Sequence, residues 1–456
     1  MYVNRTPLGE GNLTFGSRKR KRTRWVFWRI ILYLAILAVA LYIFLRSDYF
    51  GPRILAYIGP TPIPTPTAQE RADAAFEAYM EGDLELAIDI YRQASALDPA
   101  NIDYLFELAR LLILTGQTEE GLAVSDQIIL IAPESPDGYA IQAMALDWMG
   151  RPDEAVVTAL RALEIDPYHA VTHAYLAEAY IDLGRWTQAR EEAELAVELD
   201  PFNVDVRRNY AYVLENTGYY QSAVQQYRQA ISLQPNLLYL WYGLARNYRG
   251  AGLIDEAVRT YQEIILRTPD DPQPYTELGR TYFEIRDDAA AQDNLEQAVA
   301  LVRAQNEAAL EADPDADTEI YIPAWTRLGM VYFTRRNYED AIAIFEETIA
   351  WCEAHNTTAP LEAYYVTGAA YFYLDECERA VPLLFEALDL NEEGPEDEGV
   401  TSNALRGLEL CRNYAENPVA FAWPEGYPVP DVSEFYLTRD GSSPPADEMS
   451  GEGEQP

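Results

Sequence analysis

The 456-residue sequence predicts an all-α protein, one transmembrane helix followed by a solenoid of about nine helix-turn-helix repeats. Three observations carry that expectation. Pro99, Pro133, Pro167, Pro201, Pro235 and Pro269 recur at steps of 34 residues, and Gly82, Gly116, Gly150, Gly184, Gly218 and Gly252 each stand 17 residues ahead of one of them. Two residue types locked to one period signal a repeat array. Near the N-terminus, an apolar run over 25–45 follows a dense basic cluster, the pattern of a membrane-spanning helix.

Residues 1–24 form a basic head, with Arg18-Lys19-Arg20-Lys21-Arg22 and Arg24 directly before the apolar run. That run spans 21 residues, about 30 Å of helix. Its one charge, Arg29, lies in the first turns, where the stem can carry the guanidinium back to the headgroups. A cleaved signal peptide and a nuclear or DNA-binding arm are the competing readings. No small-x-small cleavage site follows the run, and the span follows the basic cluster at once, so an uncleaved signal anchor is expected. Seven Lys/Arg before the span against two after it place the head in the cytoplasm and the array outside, at the plasma membrane of a bacterium. In the linker over 46–67, proline at every second position from Pro60 to Pro66 forbids helix and makes an extended spacer.

Charge is partitioned along the chain. The whole carries 74 acids against 34 Lys/Arg, but residues 1–53 are net +8 and residues 54–456 net −48. A body this acidic repels phosphate backbones, so nucleic acid is not an expected partner.

Each unit of the array over 68–395 is punctuated twice. The glycine can take the left-handed conformation that closes one helix, and the proline follows the second helix, which it cannot continue. Small residues at Ala87, Ala155, Ala189, Ala223 and Ala257 let the paired helices approach closely. Units begin near residues 68, 102, 136, 170, 204, 238, 272, 322 and 361. The last three lack the glycine and carry Arg286, Arg336 and Asp375 at the turn, and repeat 2 has Gly121 in place of the alanine. From unit 7 to unit 8 the step lengthens to 50, with a long second helix expected up to Ala312 and a change of pitch there. A capping helix is expected over 400–415, because a solenoid must cover its last apolar face. The tail, 416–456, holds seven prolines and nine acids against one arginine and reads as disordered, although its aromatic first half could pack back on the cap.

The copy Trp325, Leu328, Gly329, Tyr332, Ala341 and Phe345, with Trp241, Leu244, Tyr248, Gly252, Ala257, Tyr261 and Pro269, resembles the tetratricopeptide repeat family. The resemblance implies a right-handed superhelix whose first helices line a concave groove that holds peptides or helices. Carried onto this sequence, the groove positions are Arg208, Asn209, Tyr212, Tyr242, Arg246, Arg249, Arg280, Phe283, Arg327 and Phe333. Arginine forks among aromatics suit an acidic protein or peptide. The competing reading is that these arginines pair with neighbouring acids such as Glu277 and Glu284. The lysine and asparagine pattern of the family's carboxylate-binding members is missing, so a C-terminal peptide ligand does not follow.

Catalytic signatures are scarce, and no enzyme, cofactor or metal is expected. His169 and His173 have a ligand spacing, but His173 takes the place filled by Trp241 and Trp325, which favours packing. Cys377 opens the second helix of repeat 9 and Cys411 lies late in the cap; if those helices pack antiparallel the two sulfurs reach similar heights and can bridge, the alternative being buried thiols. The expected function is a membrane-tethered scaffold or adaptor, or alternatively a non-catalytic subunit of an envelope-assembly, polysaccharide or secretion complex.

Overall fold

A computed structural model describes residues 20–45, 66–313, 316–393, 397–415 and 427–428. The chain divides into two compact units, Met1–Pro66 and Thr67–Pro456.

The first unit contributes α1 (Arg20–Leu45). Its apolar side chains, Phe27 and Trp28 through Leu41 and Tyr42, are exposed rather than packed. The expected span falls within this helix, yet no helix among the described residues is long and apolar enough to cross a membrane. Residues 1–19 of the head, 46–65 of the linker and nearly all of the tail, with its expected disorder, lie outside the described residues.

In the second unit the helices pair off. Repeats 1 to 3 are α2 (Ala68–Glu81) and α3 (Leu84–Leu97), α4 (Ile102–Leu114) and α5 (Thr118–Ile131), then α6 (Pro136–Trp148) and α7 (Pro152–Ile165). Repeats 4 to 6 are α8 (Ala170–Asp182) and α9 (Trp186–Leu199), α10 (Val204–Asn216) and α11 (Tyr220–Leu233), then α12 (Leu238–Gly250) and α13 (Ile254–Arg267). Repeats 7 to 9 are α14 (Pro272–Glu284) and α15 (Asp288–Ala312), α16 (Ile322–Thr334) and α17 (Tyr338–Ala354), then α18 (Leu361–Tyr373) and α19 (Cys377–Glu393). The cap is α20 (Glu398–Ala415).

Each turn between paired helices uses one left-handed residue. At Gly116 (φ 83°) the chain reverses with Gly116 N–H donating to Ile113 O at 3.0 Å and Gln117 N–H to Leu112 O at 2.8 Å. Arg286, Arg336 and Asp375 take the same conformation at φ 65°, 62° and 63°, so helix pairing imposes the turn even where a Cβ costs about 1–2 kcal/mol. Ala87, Ala155, Ala189, Ala223 and Ala257 are fully buried at the helix crossings. Gly121 departs from alanine because a Cβ there would lie 2.6 Å from the Ile113 side chain.

A feature invisible to the motif recurs at the fourth position of the first helices. His173 Nε2, Arg207 Nε, Trp241 Nε1 and Tyr275 Oη each reach the carbonyl of the proline six residues earlier, at 3.0, 2.9, 2.8 and 3.3 Å. His173 also meets Glu192 Oε2 through Nδ1 at 2.5 Å, so its two ring nitrogens tie the end of repeat 3 to both helices of repeat 4. No cluster of three or more metal-ligating side chains occurs among the described residues.

The lengthened α15 runs 25 residues, and the chain returning from it is pinned. Asn306 bonds both the N–H and the carbonyl of Glu319, Trp351 Nε1 donates to Thr318 O at 2.7 Å, and His355 pairs with Asp317 at 3.1 Å. At the C-terminal end, Cys377 of α19 and Cys411 of α20 are joined in a buried disulfide with Cα atoms 5.6 Å apart, and Cys352 is a buried free thiol. Tyr427 stacks on Phe385 of α19 with ring centroids 5.4 Å apart, so the chain beyond the cap returns to repeat 9.

The first six repeats curl until their ends meet. Asn236, ahead of α12, donates through Nδ2 to Met80 O of α2 at 2.8 Å. Leu105, Leu108 and Leu112 of α4 share one core with Leu237, Leu240 and Leu244 of repeat 6. This first turn of the solenoid has a filled axis.

Candidate functional site

Filling the axis divides the expected groove into two parts. Positions four or seven residues apart on the first helices face inward, and contacts between successive first helices fall about one helical turn short of the 34-residue repeat. Arg208 Nη1 and Nη2 grip Glu178 at 3.0 and 2.9 Å across 30 residues, and Tyr212 Oη donates to Asp182 at 3.1 Å across the same interval.

In repeats 2 to 5 this inner face is a core, which corrects the expected exposure of Arg208 and Asn209. Asn209 is 0% exposed and Arg208 is buried, its guanidinium bound to Glu178 and lying over the Trp148 ring at 5.6 Å. Arg110 of α4 pairs with Glu107 at 2.5 Å and reaches Asp205 of α10 at 3.4 Å across 95 residues. Burial alone would pull the Arg208 guanidinium down, but Glu178 and then Asp205 outweigh it and hold it above the ordinary arginine value. The Arg110 guanidinium is raised by Glu107 and Asp205 in the same way. Asp147, Trp148 and Glu178 complete the cluster, with Trp148 Nε1 donating to Glu178 at 3.2 Å.

Asp147 is the titrating member. Burial first, then Glu178 and Asp182, push its carboxyl up to about 8, against the pull of Arg208. A folded-state pKa above the unfolded value of about 3.9 contributes stability that is complete below pH 4 and is lost as pH rises through about 8. Across that window the slope is about 1.4 kcal/mol per pH unit. Asp147→Asn is therefore expected to lie a few kcal/mol above the parent at pH 8 and to converge with it towards pH 4, in urea unfolding run at both pH values. Parallel curves for the two proteins would place the titration elsewhere.

From repeat 6 onward the inner face carries half-exposed charge. Arg246 of α12 bonds Glu215 through Nε and Nη2, and its side chain stays 48% exposed. Arg249 is buried beneath it, 3.0 Å from Glu277 and 3.5 Å from Glu284. It is covered because both glutamates of α14 fold over it. Arg280 meets Glu284 at 2.8 Å and remains 39% exposed, while Tyr242 Oη donates to Asp271 at 3.2 Å. Phe283 packs on the core around Trp325, and Phe333 on Tyr338 and Tyr373 at 5.6 and 6.0 Å.

Arg327 of α16 sits apart from this pairing: its Nε is buried and has no hydrogen-bond partner among the described residues. Burial lowers its pKa, with Arg280 and Arg249 adding to that and Glu277 and Glu284 opposing it. Among the described residues, four of the expected arginines are thus engaged with carboxylates, and Arg327 is not. The motif named the arginines but missed Glu178 and Glu215, which their position one repeat less a turn away could have found, and Asp205, which Arg110 reaches across 95 residues and no local interval signals.

Models of the tetratricopeptide repeat match this chain over residues 78–145, 149–211 and 217–279, and over 321–393. No curated protein sequence matches it. Similar solved structures include a thermophilic TPR protein of Thermus thermophilus, at 20% identity over 40% of this chain and 98% of that one, with a TM-score of 0.35. The Cut9–Hcn1 hetero-tetramer of the APC/C is 20% identical over 75% and 67% of the two chains at a TM-score of 0.49. Human IFIT1, solved as a dimer with m7Gppp-AAAA, is 16% identical over 80% and 85% at 0.46.

Proposed function

Because this chain belongs to the tetratricopeptide repeat family, whose arrays generally mediate protein–protein interaction, we propose that it is a membrane-tethered scaffold holding a partner protein on the inner face of repeats 6 to 8. The observation that carries the reading is the division of the groove. Repeats 1 to 6 close upon themselves, whereas Arg246, Arg280 and Arg327 stand at an inner face that is still reachable. Tethering rests on the basic cluster at the start of α1 and on the exposed apolar side chains of that helix, which water disfavours and a bilayer accepts. The array then lies outside the plasma membrane, where a disulfide such as Cys377–Cys411 persists.

One experiment tests both halves. Intact cells are treated with a membrane-impermeant crosslinker, and the native protein is compared with Arg246→Gln/Arg280→Gln, the two arginines of this face with the most exposed side chains among the ion pairs described. A defined partner, captured without permeabilisation and reduced at least tenfold in a variant of unchanged melting temperature, is the expected result. Capture only after permeabilisation overturns the topology. A partner yield that is the same for both proteins overturns the groove.

A further inference from the structure

The inner face of repeats 6 to 8 has one cation too many. Arg249, Arg280 and Arg327 lie close enough to oppose one another's charge, and the two carboxylates among them, Glu277 and Glu284, are already bound by Arg249 and Arg280 at 3.0, 3.5 and 2.8 Å. Arg327 makes no ion pair among the described residues, and its buried Nε–H has no acceptor. In a body of net −48, a partly buried surplus of positive charge is the exception.

The unpaired guanidinium also specifies chemistry. Nε is sealed from solvent, so the donors open to a ligand are the two terminal Nη groups, whose planar fork matches the two oxygens of a carboxylate. A lone halide or a hydroxyl would satisfy one arm only. Further along the same helices stand Phe283 and Phe333, with Ile285 exposed at the end of α14 and Tyr373 exposed at the end of α18. An acid flanked by an apolar side chain fits that succession. Long-range repulsion from the acidic body does not forbid it, since salt screens charges beyond about 8 Å.

We propose that Arg327 is the carboxylate acceptor of the groove, receiving an Asp or Glu side chain from an acidic segment of the partner protein. This rests on the scaffold reading and adds to it the residue and the ligand group.

The probe is fluorescein-labelled hexaglutamate, with hexaglutamine as the uncharged control, titrated into the full chain in detergent and followed by anisotropy. Saturable binding of hexaglutamate alone is expected. It should weaken at least tenfold in Arg327→Gln and by an intermediate factor in Arg327→Lys, which keeps the charge and loses the fork. Arg259→Gln, a change at an exposed arginine of α13, should leave it unchanged. The melting temperature of Arg327→Gln should hold or rise, because the variant removes an uncompensated cation. Absence of saturation, or equal affinity in Arg327→Gln, overturns the proposal. So does a tenfold gain in affinity when the nine acids of 416–456 are neutralised in the full chain, which would assign the site to the protein's own tail. A partner captured through Arg246 and Arg280 but indifferent to Arg327 would leave the scaffold standing and sink this assignment alone.

Discussion

Glu178→Ala is expected to destabilise the solenoid by about 3–5 kcal/mol, the cost of stranding a buried charge whose partner has been removed. Glu178 receives both Nη groups of Arg208 and the indole N–H of Trp148, and Arg208, only 8% exposed, has little water with which to recover. Replacing both members, Arg208→Met/Glu178→Met, should return most of that loss or exceed it, since an apolar pair fills the site without desolvating two charges. Urea unfolding of the single and double variants gives the comparison. Asp147 supplies an internal check. Glu178 is the leading charge that raises its carboxyl, so in Glu178→Ala the Asp147 pKa should fall and the loss of stability between pH 4 and 8 should flatten. A single variant within about 1 kcal/mol of the parent would mean that the axis is hydrated in solution and the cluster is not buried.

The path from sequence to site was uneven for identifiable reasons. The period was legible because the glycines and prolines at fixed offsets act through local backbone geometry, and the first helices begin at Ala68, Ile102, Pro136, Ala170, Val204, Leu238, Pro272, Ile322 and Leu361, where the spacing starts each unit. Arg286, Arg336 and Asp375 sit at the turns despite having side chains, for the same local reason. The juxtaposition of Cys377 and Cys411 followed from counting residues along two antiparallel helices. What could not be read locally was curvature. Small rotations between repeats accumulate over six units, and only their sum decides whether α2 meets α12 or leaves a groove between them. That sum buries Asn209 and Arg208 and leaves Arg280 reachable, although all three share the residue chemistry of an interaction surface.

Gly82→Ala should therefore cost more than Gly116→Ala, although the two glycines occupy the same turn in neighbouring repeats. Both hold a left-handed conformation, at φ 88° and 83°, so each alanine brings about 1–2 kcal/mol of backbone strain. Around Gly116 an added Cβ meets nothing within 4 Å. At Gly82 it would stand 2.4 Å from the carbonyl oxygen of Asn236, and a backbone atom cannot rotate away as a side chain can. Relief requires α2 to draw back from repeat 6, breaking the Asn236 Nδ2–H bond to Met80 O and opening the seam over the shared leucine core. The excess for Gly82→Ala should be about 1–3 kcal/mol, the usual cost of overpacking a closed contact. Small-angle scattering should show a larger radius of gyration for that variant and no change for Gly116→Ala. Because the strain is common to both, their difference isolates the closure itself, and equal costs with equal radii would mean that the first six repeats stand open in solution and the partner groove extends through them.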